Sequence, residues 1–209
     1  MGRLKGTETL SNLMKAFAGE SQARNRYTFF ASKAKKEGYV QIQEIFLETA
    51  ANEKEHAEVF YKYMAAELEG GEAMMLNVNA DYPVALGDTK SNLLNAAAGE
   101  KEEWADLYPA FAATAKKEGF DDIAESFTQI CVAEKAHETR YKKLAANIEQ
   151  GKVFKRFGDV RWKCGNCGYI YEGNDAPQVC PACKHDRSYF QLFVETYRSE
   201  ERRVGKECR

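Results

Sequence analysis

Histidine is scarce in this chain, with three among 209 residues. Strong charge of one sign is missing too. The net charge of −2 gives no pull toward nucleic acid or an anionic membrane. No apolar run reaches the length of a transmembrane helix. Met1 to Leu10 lack the apolar core of a signal peptide. Gly6 stands where a myristoylation signal wants Ser or Thr. No Gly-x-Gly-x-x-Gly fingerprint for a dinucleotide occurs. These absences favour a soluble cytoplasmic protein with no nucleic-acid or membrane partner. The length suits one sizeable core plus a small module.

Two of the three histidines sit in near-identical runs. Glu53-Lys54-Glu55-His56 and Glu134-Lys135-Ala136-His137 lie 81 residues apart. On a helix, residues i and i+3 share a face, so each run aims a carboxylate and an imidazole one way. The spacing of Ile123, Phe127, Ile130, Tyr141, Leu144 and Ile148 puts Glu134 and His137 on an apolar stripe. Ile42, Ile45, Thr49, Phe60 and Tyr63 do the same for Glu53 and His56. A lone Glu-x-x-His is usually a solvated pair, but a buried carboxylate needs a partner. No Lys or Arg lies on either stripe, so a cation from solution is the natural one.

Residues 1–150 hold an internal repeat. Ala34-Lys35-Lys36-Glu37-Gly38 recurs as Ala115-Lys116-Lys117-Glu118-Gly119, and Ala18-Gly19-Glu20 as Ala98-Gly99-Glu100. The pattern predicts helices over 9–37, 40–69, 90–118 and 121–150, with Gly38, Gly70-Gly71, Gly119 and Gly151 closing them. A long link over 70–89 makes this an all-α, ferritin-like four-helix bundle with one long crossover. Glu20 and Glu100 fall on the stripes of the first and third helices. Two lone Glu and two Glu-x-x-His pairs are the ligand inventory of di-iron and di-manganese carboxylate bundles. Glu103 adds a fifth carboxylate where the first half has Ala23. Five ionised Glu nearly balance two divalent ions, and carboxylate with imidazole suits iron or manganese. Glu20 to Gly38 is 18 residues, while Glu100 to Gly119 is 19. The added residue predicts a π-bulge or kink between Glu103 and Phe111.

A second motif closes the chain. Cys164-x-x-Cys167 is followed, after twelve residues, by Cys180-x-x-Cys183. This spacing is strong for a tetrahedral four-sulfur metal site. The module is too small to fold on apolar burial alone, so metal binding supplies its stability. Trp162, Tyr169, Tyr171, Phe190 and Phe193 are its expected aromatic core. On spacing alone a structural zinc ribbon and a redox iron site stay equally open. Cys131 is a small core filler, and His185 a surface residue.

Taken in order, Glu20, Glu53-x-x-His56, Gly99-Glu100-x-x-Glu103-Trp104, Glu134-x-x-His137 and the four-cysteine module resemble the rubrerythrins. The resemblance spans residues 3 to about 196. It implies a di-iron bundle over 1–150 and a rubredoxin-like, β-rich domain with a four-cysteine iron site over 151–198. Residues 199–209, with Cys208, have no counterpart and form a tail of non-native or disordered character. The resemblance implies two non-haem irons held by Glu20, Glu53, His56, Glu100, Glu103, Glu134 and His137, and one iron held by Cys164, Cys167, Cys180 and Cys183. It implies that Glu103 and His56 exchange on one iron as the redox state changes, and that Tyr27 and Tyr108 stand near the site. It further implies reduction of hydrogen peroxide to water, with rubredoxin or an NAD(P)H-dependent reductase as electron donor, and a head-to-tail homodimer. The alternatives are a ferroxidase or O2-reducing oxidase, and an iron-binding protein with a zinc ribbon. Lys184 stands where free rubredoxins have glycine after the second Cys-x-x-Cys, which predicts one altered hydrogen bond to sulfur.

Overall fold

The computed structural model describes residues 3–68 and 73–196. Gly70, Gly71 and the tail 199–209 with Cys208 lie outside the described residues. Two compact units divide the chain, Met1–Val153 and Phe154–Arg209.

The first unit carries α1 (Glu8–Lys36), α2 (Val40–Ala65), α3 (Thr89–Glu102), α4 (Tyr108–Lys117) and α5 (Asp121–Glu149). A π-helical turn, Glu103–Leu107, joins α3 and α4 into one rod, so four rods form the ferritin-like bundle. This turn falls where the added residue of the second repeat predicts it. Helix α2 ends four residues before the expected 69. Residues 73–88 cross over without helix or strand. No described helix is long and apolar enough to cross a membrane.

The repeat also closes the helices. Thr7 Oγ1 accepts from Leu10 N at 3.2 Å and Asp88 Oδ1 from Ser91 N at 2.7 Å, capping α1 and α3. Gly38 and Gly119 follow α1 and α4 with φ of 82° and 85°, a left-handed turn that L side chains resist. The glutamate before each glycine reaches to the other half. Glu37 Oε2 accepts from Thr89 N and Oγ1 at 2.7 and 2.6 Å. Glu118 Oε2 accepts from Thr9 N and Oγ1 at 2.9 and 2.5 Å. Each half thereby satisfies orphan N–H groups at the start of the other half's first helix.

Two apolar layers fill the bundle. One contains Leu10, Leu13, Phe60, Tyr108, Ile123 and Phe127, and the other Tyr27, Phe30, Ile42, Phe46, Leu93 and Tyr141. Matching aromatic triplets sit in them. Phe60, Tyr108 and Phe127 have centroids 4.8–5.7 Å apart. Tyr27, Phe46 and Tyr141 lie 5.2–6.1 Å apart. Phe46 and Phe60 stand seven residues before and after Glu53, and Phe127 and Tyr141 do so around Glu134. That spacing of two helical turns leaves the carboxylates in the gap between the layers.

The second unit is an antiparallel sheet of β1 (Lys155–Cys164), β2 (Ile170–Asp175) and β3 (Phe190–Leu192), ordered β2-β1-β3. Trp162 is fully buried beside Phe190, Ala176 and the Cys164 and Cys180 side chains. Its Nε1 donates to Gly173 O at 2.9 Å. Tyr171, expected in this core, is exposed. It sits on the outer strand β2 and lies over Gly173, where a Cβ would come within 2.9 Å of its ring. Phe193, also expected inside, is half-buried, with the Arg161 guanidinium 4.7 Å from its ring centre. Phe154 and Tyr189 pack against the core instead.

Candidate metal centres

Four rods deliver six side chains to one point between the layers. Glu20 comes from α1, Glu53 and His56 from α2, Glu100 from α3, and Glu134 and His137 from α5. They form two sets with ligand atoms within 4.8 Å of one another: Glu20, Glu53, His56, Glu134, and Glu53, Glu100, Glu134, His137. Both imidazoles face inward through Nδ1. His56 Nδ1 lies 2.7 Å from Glu134 Oε1, 3.1 Å from Glu53 Oε2 and 3.9 Å from Glu20 Oε1. His137 Nδ1 lies 2.7 Å from Glu134 Oε2, 3.4 Å from Glu53 Oε1 and 3.6 Å from Glu100 Oε2. Glu53 and Glu134 therefore give one oxygen to each set.

The remaining oxygens decide whether ions fit. Glu20 Oε1 accepts from Tyr108 Oη at 2.5 Å, and Glu100 Oε1 from Tyr27 Oη at 2.6 Å. Glu20 Oε2, Glu53 Oε1, Glu100 Oε2 and Glu134 Oε1 are buried with no aligned hydrogen-bond donor. Four such orphans, one per rod, are costly without a cation. Carboxylate and imidazole donors suit iron or manganese.

Without metal the cluster must hold protons. Burial, then the neighbouring carboxylates, raise Glu20 and Glu103 well above the usual range. Burial, then Glu53, does the same to Glu100. Burial alone would lower the histidines. The close carboxylates of Glu134 and Glu53 instead lift His56 to about 10, and those of Glu100, Glu134 and Glu53 lift His137 to about 12. Burial opposes ionisation of Glu134, but both imidazoles hold it down at about 2. Divalent ions would replace these protons.

Glu103 stands in neither set. It opens the π turn, half-buried, and lines a cleft of about 290 Å³ with Gly19, Arg26, Tyr82 and Tyr108. A Cβ on Gly19 would lie 4.0 Å from Glu103 Oε1. Arg26 is buried, its Nε lacks a partner, and its charge favours the Glu103 carboxylate. On the opposite side His56 and His137 line an opening of about 420 Å³ between α2 and α5. A groove of about 710 Å³ runs along α5 past Trp104, and none of the six inward-facing side chains lines it. Residue spacing could not locate Arg26 or Tyr82. A charge on a stripe facing the crossover was the available signal for Arg26.

The four cysteines form the third cluster. Cys164 and Cys183 sulfurs lie 3.7 Å apart, as do those of Cys167 and Cys180. A tetrahedron with bonds of about 2.3 Å has edges of about 3.8 Å, so the thiols are spaced for a metal. The Tyr169 N–H faces the Cys167 sulfur, and the His185 N–H hydrogen-bonds Cys183, lowering it to about 6. Gly168 N donates to Cys164 O at 2.8 Å and Lys184 N to Cys180 O at 2.9 Å. Lys184 adopts φ 63° where Gly168 has 78°. The expectation of an altered hydrogen bond at Lys184 is therefore corrected: the two loops match, and the lysine absorbs the strain. His185 is half-buried, its ring 4.6 Å from that of Tyr189. Cys131 packs half-buried against the first layer.

Comparison with known proteins agrees on both units. Residues 11–145 match the sequence model of rubrerythrin, and residues 162–191 that of the rubrerythrin rubredoxin-like domain. The chain is 58% identical over 197 residues to rubrerythrin-1 of Clostridium acetobutylicum, covering 94% of this chain and all of the relative. Partially reduced nigerythrin matches with a TM-score of 0.60 at 34% identity, over 90% of this chain and 87% of that one. The Desulfovibrio desulfuricans bacterioferritin matches at 22% identity with a TM-score of 0.60, over 69% of this chain and 82% of that one, which shows the shared bundle fold.

Proposed function

Since the chain belongs to the rubrerythrin family, with a di-iron carboxylate site in its bundle and a four-cysteine iron site in its rubredoxin-like domain, we propose that it is a peroxidase of oxidative-stress defence in the cytoplasm. It would convert hydrogen peroxide, two protons and two electrons into two waters. One observation carries this proposal: Glu53 and Glu134 each turn one oxygen to the His56 set and one to the His137 set. A paired site can collect two electrons before it meets substrate.

Two ferrous ions bound by these residues would supply one electron each, enough for a two-electron cleavage of an O–O bond. The protein's part is to hold and orient. Glu53 and Glu134 would each offer one oxygen to either ion, and Glu20 with His56 and Glu100 with His137 would complete the two sets. Tyr108 and Tyr27 fix the terminal carboxylates, and burial raises both phenols well above their ordinary value, so they remain donors. Glu103 would serve as a reserve ligand that exchanges with His56. Cys164, Cys167, Cys180 and Cys183 would hold a one-electron iron able to recharge the pair. With no dinucleotide fingerprint, the electrons come from rubredoxin or an NAD(P)H-dependent reductase.

A head-to-tail homodimer would serve that relay. His137 is 14 residues from Gly151, so α5 carries the chain roughly 20 Å beyond the metal cluster before it ends. Mixing a chain lacking Cys164 and Cys167 with one lacking Glu53 and Glu134 tests it. Recovered reductant-driven activity in the heterodimer supports transfer between chains, and none despite proven heterodimers refutes it.

The activity itself is tested by stopped-flow mixing of the reduced, iron-loaded protein with peroxide and with O2. Fast oxidation by peroxide and slow oxidation by O2 is the expected result. The reverse order would establish an oxidase or ferroxidase instead. Visible ferric-thiolate absorption from the four-cysteine site is expected, and its absence with zinc bound would mean a structural ribbon.

A further inference from the structure

Glu138 is a buried carboxylate outside the ligand cluster, one residue after His137. Both its oxygens are engaged. Oε2 accepts from Trp104 Nε1 at 2.8 Å, and Oε1 pairs with Lys142 Nζ at 2.5 Å. Trp104 follows Glu103 in the π turn, and Lys135 Nζ sits 4.8 Å from its ring centre. One hydrogen bond thus ties the turn that carries Glu103 to the helix that carries His137.

The internal repeat isolates this feature. In the first half the position of Glu103 is Ala23, that of Trp104 is Arg24, and that of Glu138 is Ala57. Helix α1 runs unbroken through the matching region. The extra carboxylate, the π turn and both partners of the hydrogen bond are present together in one half and missing together from the other. A bond that served only to hold α-helical rods in place would have use in both.

We propose that Trp104 and Glu138 form a latch that positions Glu103 relative to the metal pair. π turns inside α-helices are rare and frequent at functional sites, and this one is tied from outside by the Trp104–Glu138 hydrogen bond. The indole N–H donates along a fixed direction, and the Glu138 carboxylate is braced by Lys142. Glu103 is thereby held at the cleft beside Gly19, close to the cluster yet outside both four-residue sets. Trp104 and Glu138 act through Glu103, so they are positioning residues. The proposal rests on Glu103 being a metal ligand, and the test separates the two claims.

The test titrates the full, metal-free chain with Co(II). The thiolate-to-metal band follows the four-cysteine site, and the ligand-field bands follow the two bundle ions. Circular dichroism first verifies helix content. Trp104→Phe and Glu138→Ala are each expected to weaken the looser bundle ion by roughly ten-fold or more, the effect typical of a group supporting a ligand. Glu138→Gln, which keeps an acceptor for the indole, should restore most of the affinity. Glu103→Gln should weaken the same ion, and Trp104→Phe added to it should cost nothing further, because coupled residues are non-additive. Wild-type affinity in Trp104→Phe, or full additivity with Glu103→Gln, overturns the latch. If Glu103→Gln alone changes nothing, the ligand role of Glu103 fails, and the latch falls with it.

Discussion

Lys184 bears a conformational cost that Gly168 avoids. Both sit in the left-handed region directly after a cysteine, and both let the following N–H reach sulfur. For an L residue with a Cβ that conformation costs about 1–2 kcal/mol. Lys184→Gly should therefore raise the guanidinium midpoint at which the ferric-thiolate chromophore of the iron-loaded chain is lost, equivalent to about 1 kcal/mol. An unchanged midpoint would mean that the Lys184 Nζ bond to Pro181 O at 2.8 Å offsets the strain. Single residues were also where legibility in the sequence varied most. The glutamates and histidines of the cluster could be read from their stripes, because a buried charge at helical spacing has few explanations. Tyr27 and Tyr108 could not, since an aromatic residue on a stripe looks the same whether or not its hydroxyl holds a carboxylate. They came from the family resemblance. Tyr171 was misplaced because strand alternation does not say whether a ring on an outer strand turns inward.

Among the elements, the π turn has the clearest job. Glu20 precedes Tyr27 by seven residues, whereas Glu100 precedes Tyr108 by eight, yet both phenols reach a terminal glutamate of the other half. The turn absorbs the extra residue. Deleting Ala105 should restore the seven-residue spacing of the first half, so the rod becomes a regular α-helix that keeps Tyr108 on Glu20 but loses the π turn that carries Glu103. The variant should stay folded and bind its looser bundle ion more weakly. Thermal unfolding and Co(II) titration check this, and a variant that unfolds, or one that binds both bundle ions as tightly as the parent, would refute it. The turn itself was legible, since a repeat compared with itself exposes an insertion of one residue. The caps from Glu37 to Thr89 and from Glu118 to Thr9 were not. They join residues 52 and 109 positions apart, and no local pattern encodes such a pairing. Glu138 was hidden for a related reason: beside His137 it reads as an ordinary solvated helix residue.

For the whole molecule, the metal cluster sets how stability depends on pH. Glu20, Glu100, Glu103, His56 and His137 all have folded values above their unfolded ones. The metal-free fold thus binds more protons than the unfolded chain from about pH 4.5 upward. Stability from these groups is present at low pH and lost as pH rises toward about 10. Glu134, held at about 2, opposes this only below its unfolded value. The chelated protein should melt several degrees lower at pH 9 than at pH 5, and bound metal should remove the decline. A chelated protein that gains stability between those pH values would contradict the upward shifts of the glutamates and histidines. The cluster has a second consequence at this scale. Helix α1 packs chiefly on α2, and α5 on α3 and α4, while contacts between those halves are sparser. Glu20, Glu53 and His56 belong to one half, and Glu100, Glu134 and His137 to the other. Each ion therefore works as a removable cross-link between two polypeptide segments that the crossover happens to tether. If a protease site inserted at residues 76–80 is cut, the two fragments should co-elute while metal is bound and separate in chelator. Fragments that remain together after chelation would show that the caps and aromatic layers suffice without the ions.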